Sequence, residues 1–114
     1  MSDAAIPALA LTIKTGEAVA ARRFITIAGS YPANDGDNAV GVTRAPAASG
    51  EYTAVDVLGL VAVEASGAIA VGDAVMAEDD GRAKKLAGNE VAVARAFEAA
   101  TAAGDIILVM MIPN

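Results

Sequence analysis

Apolar and polar positions alternate over short runs along most of this chain. The runs LALTIK (9–14), RFITI (23–27), AVGVTR (39–44) and YTAVDVL (52–58) are separated by Gly, Pro, Asn and Asp. A period of two is the signature of a strand, because successive side chains leave a strand on opposite faces. Four more runs follow: LVAVEA (60–65), DAVMA (73–77), EVAVARA (90–96) and DIILVMMI (105–112). Within EDDGRAKKL, Asp80-Gly81 falls where a tight hairpin turn is expected, since Gly accepts the positive φ such turns need. Short strands at this spacing predict an all-β fold, a small sandwich or barrel. One segment competes: ARAFEAATAAG (94–104) is rich in helix formers and ends on Gly.

A repeat decides that competition. NAVGVTRA (38–45) and NEVAVARA (89–96) are near copies, and the echo extends on both sides. Gly16 falls on Gly67, Phe24 on Val75, Ile25 on Met76, Val42 on Val93 and Arg44 on Arg95, at a constant offset of about 51 residues. Downstream, SGEYTAVDVL matches AGDIILVMMI after a small insertion. The chain reads as two related halves of about 50 residues, 9–58 and 60–112, joined near Gly59. Residues 91–96 then match a strand, leaving at most a helical turn between Glu98 and Ala103. Residues 1–8 contain Pro7 and little that would pack internally, so they read as an extended N-terminal arm ahead of one β domain, 9–114.

Composition adds a constraint on burial. The chain has 114 residues, 55 % of them hydrophobic, yet only two Phe, two Tyr and no Trp, and about a quarter are Ala. Each half alone buries little at about 25 cal/mol per Å², so the halves share a core and further burial against partner subunits is expected. Net charge is −6. An acidic chain without a basic stripe is a poor ligand for nucleic acid, whose phosphates demand Lys and Arg. The start, MSDAAIPALALTIK, has neither a basic opening nor a sustained apolar run, so no signal peptide is expected. The longest apolar stretch, 106–113, is too short to span a bilayer as a helix. These features predict a soluble protein made and kept, or assembled, inside a cell, with no membrane partner.

Candidate chemistry is sparse. The chain has no His and no Cys, which removes the commonest general base, metal ligand and thiol nucleophile. NDGDN, with Asp35 and Asp37, resembles a calcium loop but lacks the further ligands and closing Glu of an EF-hand. It reads as a solvated turn, as does AEDDG with Glu78, Asp79 and Asp80. AGSYPANDG has no Lys followed by Ser or Thr, so it is no phosphate loop. A hydrolase using paired carboxylates finds no support in the spacing. Arg22 and Arg23 are neighbours in or near a strand, so one of them points inward or along a seam. They read as surface charge or as an intersubunit ion pair with one of the many carboxylates. Arg44 and Arg95 read as equivalent charges guarding sheet edges. No enzyme, cofactor or metal is expected.

The run AVGVTRAPAASGEYTAVDVLGLVAVEASGAIAVGDAVMAEDDGRA, followed by EVAVARAFEAATAAGDIILVMMIP, resembles the small capsid cement, or head decoration, proteins of tailed bacteriophages. The similarity covers 9–113 and rests on the order and spacing of small-residue phrases, with Phe97 where Leu is familiar. The resemblance implies an all-β structural virion protein on the outside of the head, partnered by the major capsid protein and by itself as a homotrimer at three-fold and quasi-three-fold positions. The segment from Ala4 through Ala5, Ile6 and Pro7 to Leu9 is the candidate capsid contact, since an extended segment can add to a sheet edge. Arg22 and Arg23 are the candidate subunit contacts. The alternative is a small β-barrel module that binds a sugar or another ligand through Phe24, Tyr31, Tyr52 and Phe97.

Overall fold

The computed structural model describes residues 6–113. Eight strands form one antiparallel sheet that curls into a nearly closed barrel: β1 (Ile6–Lys14), β2 (Phe24–Ile25), β3 (Gly41–Thr43), β4 (Tyr52–Glu64), β5 (Ala74–Ala77), β6 (Ala83–Lys85), β7 (Ala94–Ala96) and β8 (Ile106–Met111). The order is β2-β3-β4-β8-β7-β5-β6, and β1 pairs with β4 off that path. No helix occurs among the described residues. The helix-prone segment 94–104 becomes β7, a bend and a turn, because Ala94 and Ala96 are claimed by the core and by the β8 ladder.

The runs 52–58 and 60–65 are one continuous strand rather than two. Gly59 sits inside β4 with φ 91, a conformation open to Gly at little cost. The strand therefore passes through the junction of the halves, and β1 and β8 pair with successive parts of it. The expected hairpin at Asp80-Gly81 joins β5 to β6, with Gly81 at φ 82 and its N–H bonded to the Glu78 carbonyl at 2.9 Å.

Both halves use the same hydrogen-bond plan. β1 on β4, from Leu11↔Val55 to Lys14↔Tyr52, corresponds to β4 on β8, from Val61↔Val109 to Glu64↔Ile106. Phe24↔Val42 and Ile25↔Gly41 correspond to Ala74↔Arg95 and Val75↔Ala94. The bridge Val19↔Ala47 corresponds to Ile69↔Ala100. These pairs correct the register read from sequence up to β3 and β7, and bear out the match of SGEYTAVDVL with AGDIILVMMI. The offset is 50 up to β2 and β5 (Lys14 with Glu64), 53 at β3 and β7 (Val42 with Arg95), and 54 at β4 and β8 (Tyr52 with Ile106). Three extra residues lie between β5 and β7, where the β6 hairpin is inserted. Arg44 and Arg95 are consequently not equivalent: Arg95 answers to Val42, and Arg44 to Phe97.

The halves differ in how they are covered. In the larger core, Val61, Val63, Ile69, Val75, Ala94, Ile107 and Val109 of the second half pack with Phe24, Ala39 and Val42 of the first. Phe24 is fully buried and its N–H bonds the Gly81 carbonyl at 2.6 Å, which ties β2 to the β5–β6 turn. Glu64 N–H to Arg22 O at 3.0 Å and Ser66 N–H to Ala83 O at 2.9 Å complete the closure. The smaller core, Ile13, Val19, Ile25, Val55 and Val57, is the first half's counterpart. Ala74 and Arg95, the counterparts of Phe24 and Val42, do not cover it.

Candidate interaction surface

The uncovered side of the smaller core lies along β1. Ile13 is buried, but Leu11 is 41 % exposed although its counterpart Val61 is fully buried. Leu9 is 45 % and Ile6 69 % exposed. Leu9 and Leu11 line a hollow of about 240 Å³ with Val40, Val57, Leu58 and Pro113. Val40 also borders a second hollow of about 320 Å³, with Thr26, Ile27, Asn38 and Ala39. Ile27 is 78 % exposed. Neither lining contains a charged residue, so this face offers burial of apolar area and little else. Among the described residues β1 pairs with β4 alone, which leaves its outer edge open. Register shifts at Pro7/Leu9 and Leu9/Ala10 bend the strand there.

The residues proposed from sequence fall in three places. Ala4 and Ala5 lie outside the described residues. Ile6 and Pro7 are opposite Leu60 and Gly59 in the β1–β4 ladder, and Leu9 is opposite Leu58, so β1 begins inside the stretch assigned to the arm. Arg22 and Arg23 sit at the barrel seam, eight and nine residues beyond the end of β1. Arg23 is engaged within the chain: Nη1 donates to the Asp80 carbonyl at 2.9 Å and Nη2 reaches the Glu64 carboxylate at 3.5 Å, while its Nε is buried without a partner. Arg82 joins the cluster through Asp80 at 2.8 Å and Glu64 at 3.8 Å. Burial pulls the Asp80 carboxyl upward, but the Arg82 N–H and guanidinium together hold it below its ordinary value. Leu11, Val40, Ile27 and Pro113 escaped the sequence reading. Alternation in LALTIK marks one apolar face, but it does not tell which part of that face stays uncovered.

The acidic loops act as local ties. Asp35 accepts the Asp79 N–H at 2.9 Å, and Asp37 accepts from the Asn34 N–H at 3.2 Å. Asp105 caps the turn before β8 by accepting the Thr101 N–H and hydroxyl and the Ala102 N–H, which lowers its pKa. Arg44 grips buried Asp56 at 2.7 Å. In the second half the same two positions carry Phe97 and Met110, both about half exposed. The aromatic residues weighed for ligand binding divide: Phe24 is core, the Tyr31 hydroxyl accepts the Ala20 N–H at 2.7 Å, and Tyr52 and Phe97 are exposed.

An all-β barrel with an open apolar strand edge and carboxylates used as loop ties is a scaffold suited to surface contact. The chain belongs to the phage cement proteins, whose family model matches residues 4–111. It is therefore a structural phage protein with a role on the capsid. Among solved structures it is similar to the N base of the head fiber gp8.5 of bacteriophage phi29, with a TM-score of 0.71 and 21 % identity, over 91 % of this chain and 93 % of that one. That likeness is one of fold. No curated protein matches the chain.

Proposed function

We propose that the protein decorates the outside of the mature phage shell as a trimer at three-fold and quasi-three-fold positions, and cements it without catalysing a reaction. The observation that carries this reading is the family match over residues 4–111. The similar phi29 protein is the base of a head fiber, which supports a place on the head. The partners are the major capsid protein and further copies of this chain. Synthesis is in the host cytoplasm and the working location is the capsid exterior.

The action is linkage. A ligand that binds only the expanded shell stabilises it by its own binding free energy. A trimer that touches several capsid subunits makes its second and third contacts intramolecular, so modest affinities multiply. Ala4, Ala5, Ile6, Pro7 and Leu9 form the shell contact. A capsid-subunit strand adds to the open edge of β1, and Leu9 and Leu11 bury their exposed area against it. The net charge of −6 keeps the protein off packaged DNA.

The test is co-sedimentation with undecorated mature heads and with unexpanded procapsids of the phage that encodes the chain. Saturable binding to mature heads alone, in multiples of three copies per site, is the expected result. Absence of binding to either shell overturns the proposal.

A further inference from the structure

Arg22 is the single non-glycine residue with positive φ among the described residues, at φ 60. Its counterpart in the second half is Gly72, at φ 89. The two make the same backbone bond: Arg22 N–H to Thr43 O at 2.8 Å, and Gly72 N–H to Ala96 O at 2.8 Å. The turn thus demands a left-handed residue in both halves. One half meets the demand with Gly, while the other carries a side chain that is strained there.

Among the described residues no side-chain contact of Arg22 offsets that strain. Arg23 and Arg82 hold Glu64 and Asp80, Arg44 holds Asp56, and Arg95 donates to the Gly72 carbonyl at 2.8 Å. The Arg22 guanidinium has no hydrogen bond or ion pair among the described residues. Glu64, whose N–H bonds the Arg22 carbonyl, already serves two other arginines. The acids show a matching exception. Every described Asp and Glu side chain accepts a hydrogen bond or joins an ion pair, apart from Glu78, which is half-buried, and Asp79. Asp79 is exposed, and its carboxylate is unengaged. Arg22 and Asp79 flank the same seam, since Arg23 binds the Asp80 carbonyl, yet they form no pair within one chain.

We propose that Arg22 of one copy pairs with Asp79 of the next copy, closing a ring of subunits in which each copy gives Arg22 to one neighbour and Asp79 to the other. This deepens the trimer reading above and rests on it. The partner is a second copy of this chain because the chain itself presents both halves of the complementary pair. Such head-to-tail contacts close into rings when the rotation permits. A charge-assisted guanidinium–carboxylate contact gives a reason to keep Arg at a glycine position.

The test uses the full chain with Arg22→Glu, Asp79→Arg, the double reversal, and Arg22→Gly. Sedimentation equilibrium reads self-association in solution, and binding isotherms on mature heads read it on the shell. Each single reversal should weaken association about tenfold or more, and the double reversal should restore it. Arg22→Gly should weaken association as well while leaving the melting temperature unchanged or a few degrees higher, which separates contact from folding. Single reversals without effect in both assays overturn the proposal. Single reversals that weaken head binding but are not restored by the double place the partner acid on the shell, and also overturn it. If the wild-type chain fails to bind heads, the cement reading falls, and the solution series alone judges the pair.

Discussion

Asp80, Glu90 and Asp105 are each held below their ordinary pKa in the fold. For Glu90 and Asp105 the leading cause is a backbone N–H, from Gly88 and Thr101 respectively. A carboxyl depressed in the folded state contributes stability that is complete above its unfolded pKa of about 4 and is lost as pH falls through the folded value. Urea unfolding should therefore give a constant midpoint from pH 7 to about pH 5 and a falling one below about pH 4. Asp105→Asn should remove part of that slope. Phe24 is the largest fully buried side chain, and Phe24→Ala should cost about 3–5 kcal/mol by denaturant unfolding. The sequence offered Phe24 as a candidate stacking residue. Its role as the bolt between halves depends on the β5–β6 turn reaching Phe24, a contact between residues far apart in the chain.

Strands were readable, and their register only in part: the match of SGEYTAVDVL with AGDIILVMMI holds, and the one upstream of it does not. Alternation in LALTIK and YTAVDVL located β1 and the start of β4 to within a few residues. The repeat was also visible, but matching Val42 to Val93 set it one or two residues from the hydrogen-bonded correspondence. In a chain so rich in Ala and Val, a slipped match scores as well as the true one, yet the one-residue slip at β2 and β5 turns every side chain there to the other face. Helix propensity in 94–104 was overridden because β7 completes the ladder between β5 and β8. Gly59 marked the junction but carries the strand onward, and Gly59→Ala should cost about 1–2 kcal/mol at its positive φ. Equilibrium unfolding reads that loss, and an unchanged midpoint would mean that β4 relaxes there.

The whole molecule is asymmetric in a way its duplicated plan does not announce. The first half lends Phe24 and Val42 to the second half's core and keeps a smaller core open along β1. Leu9 and Leu11 are exposed as a consequence, and replacing both with Ser should cost about 1 kcal/mol each in stability but should markedly reduce sedimentation with mature heads. Equal binding by the double variant would separate β1 from the shell contact. Residues 1–8 read as an arm because little in them would pack internally, yet β1 starts at Ile6, and Val40, Ile27 and Pro113 join this face only through folding. The most direct measurement of the central claim is a cryo-EM reconstruction of heads decorated with the purified chain. The account predicts barrel-shaped density in groups of three on the outer surface at three-fold and quasi-three-fold positions, with β1 against the capsid subunit. Bare three-fold positions, or density confined to the inner surface, would contradict it.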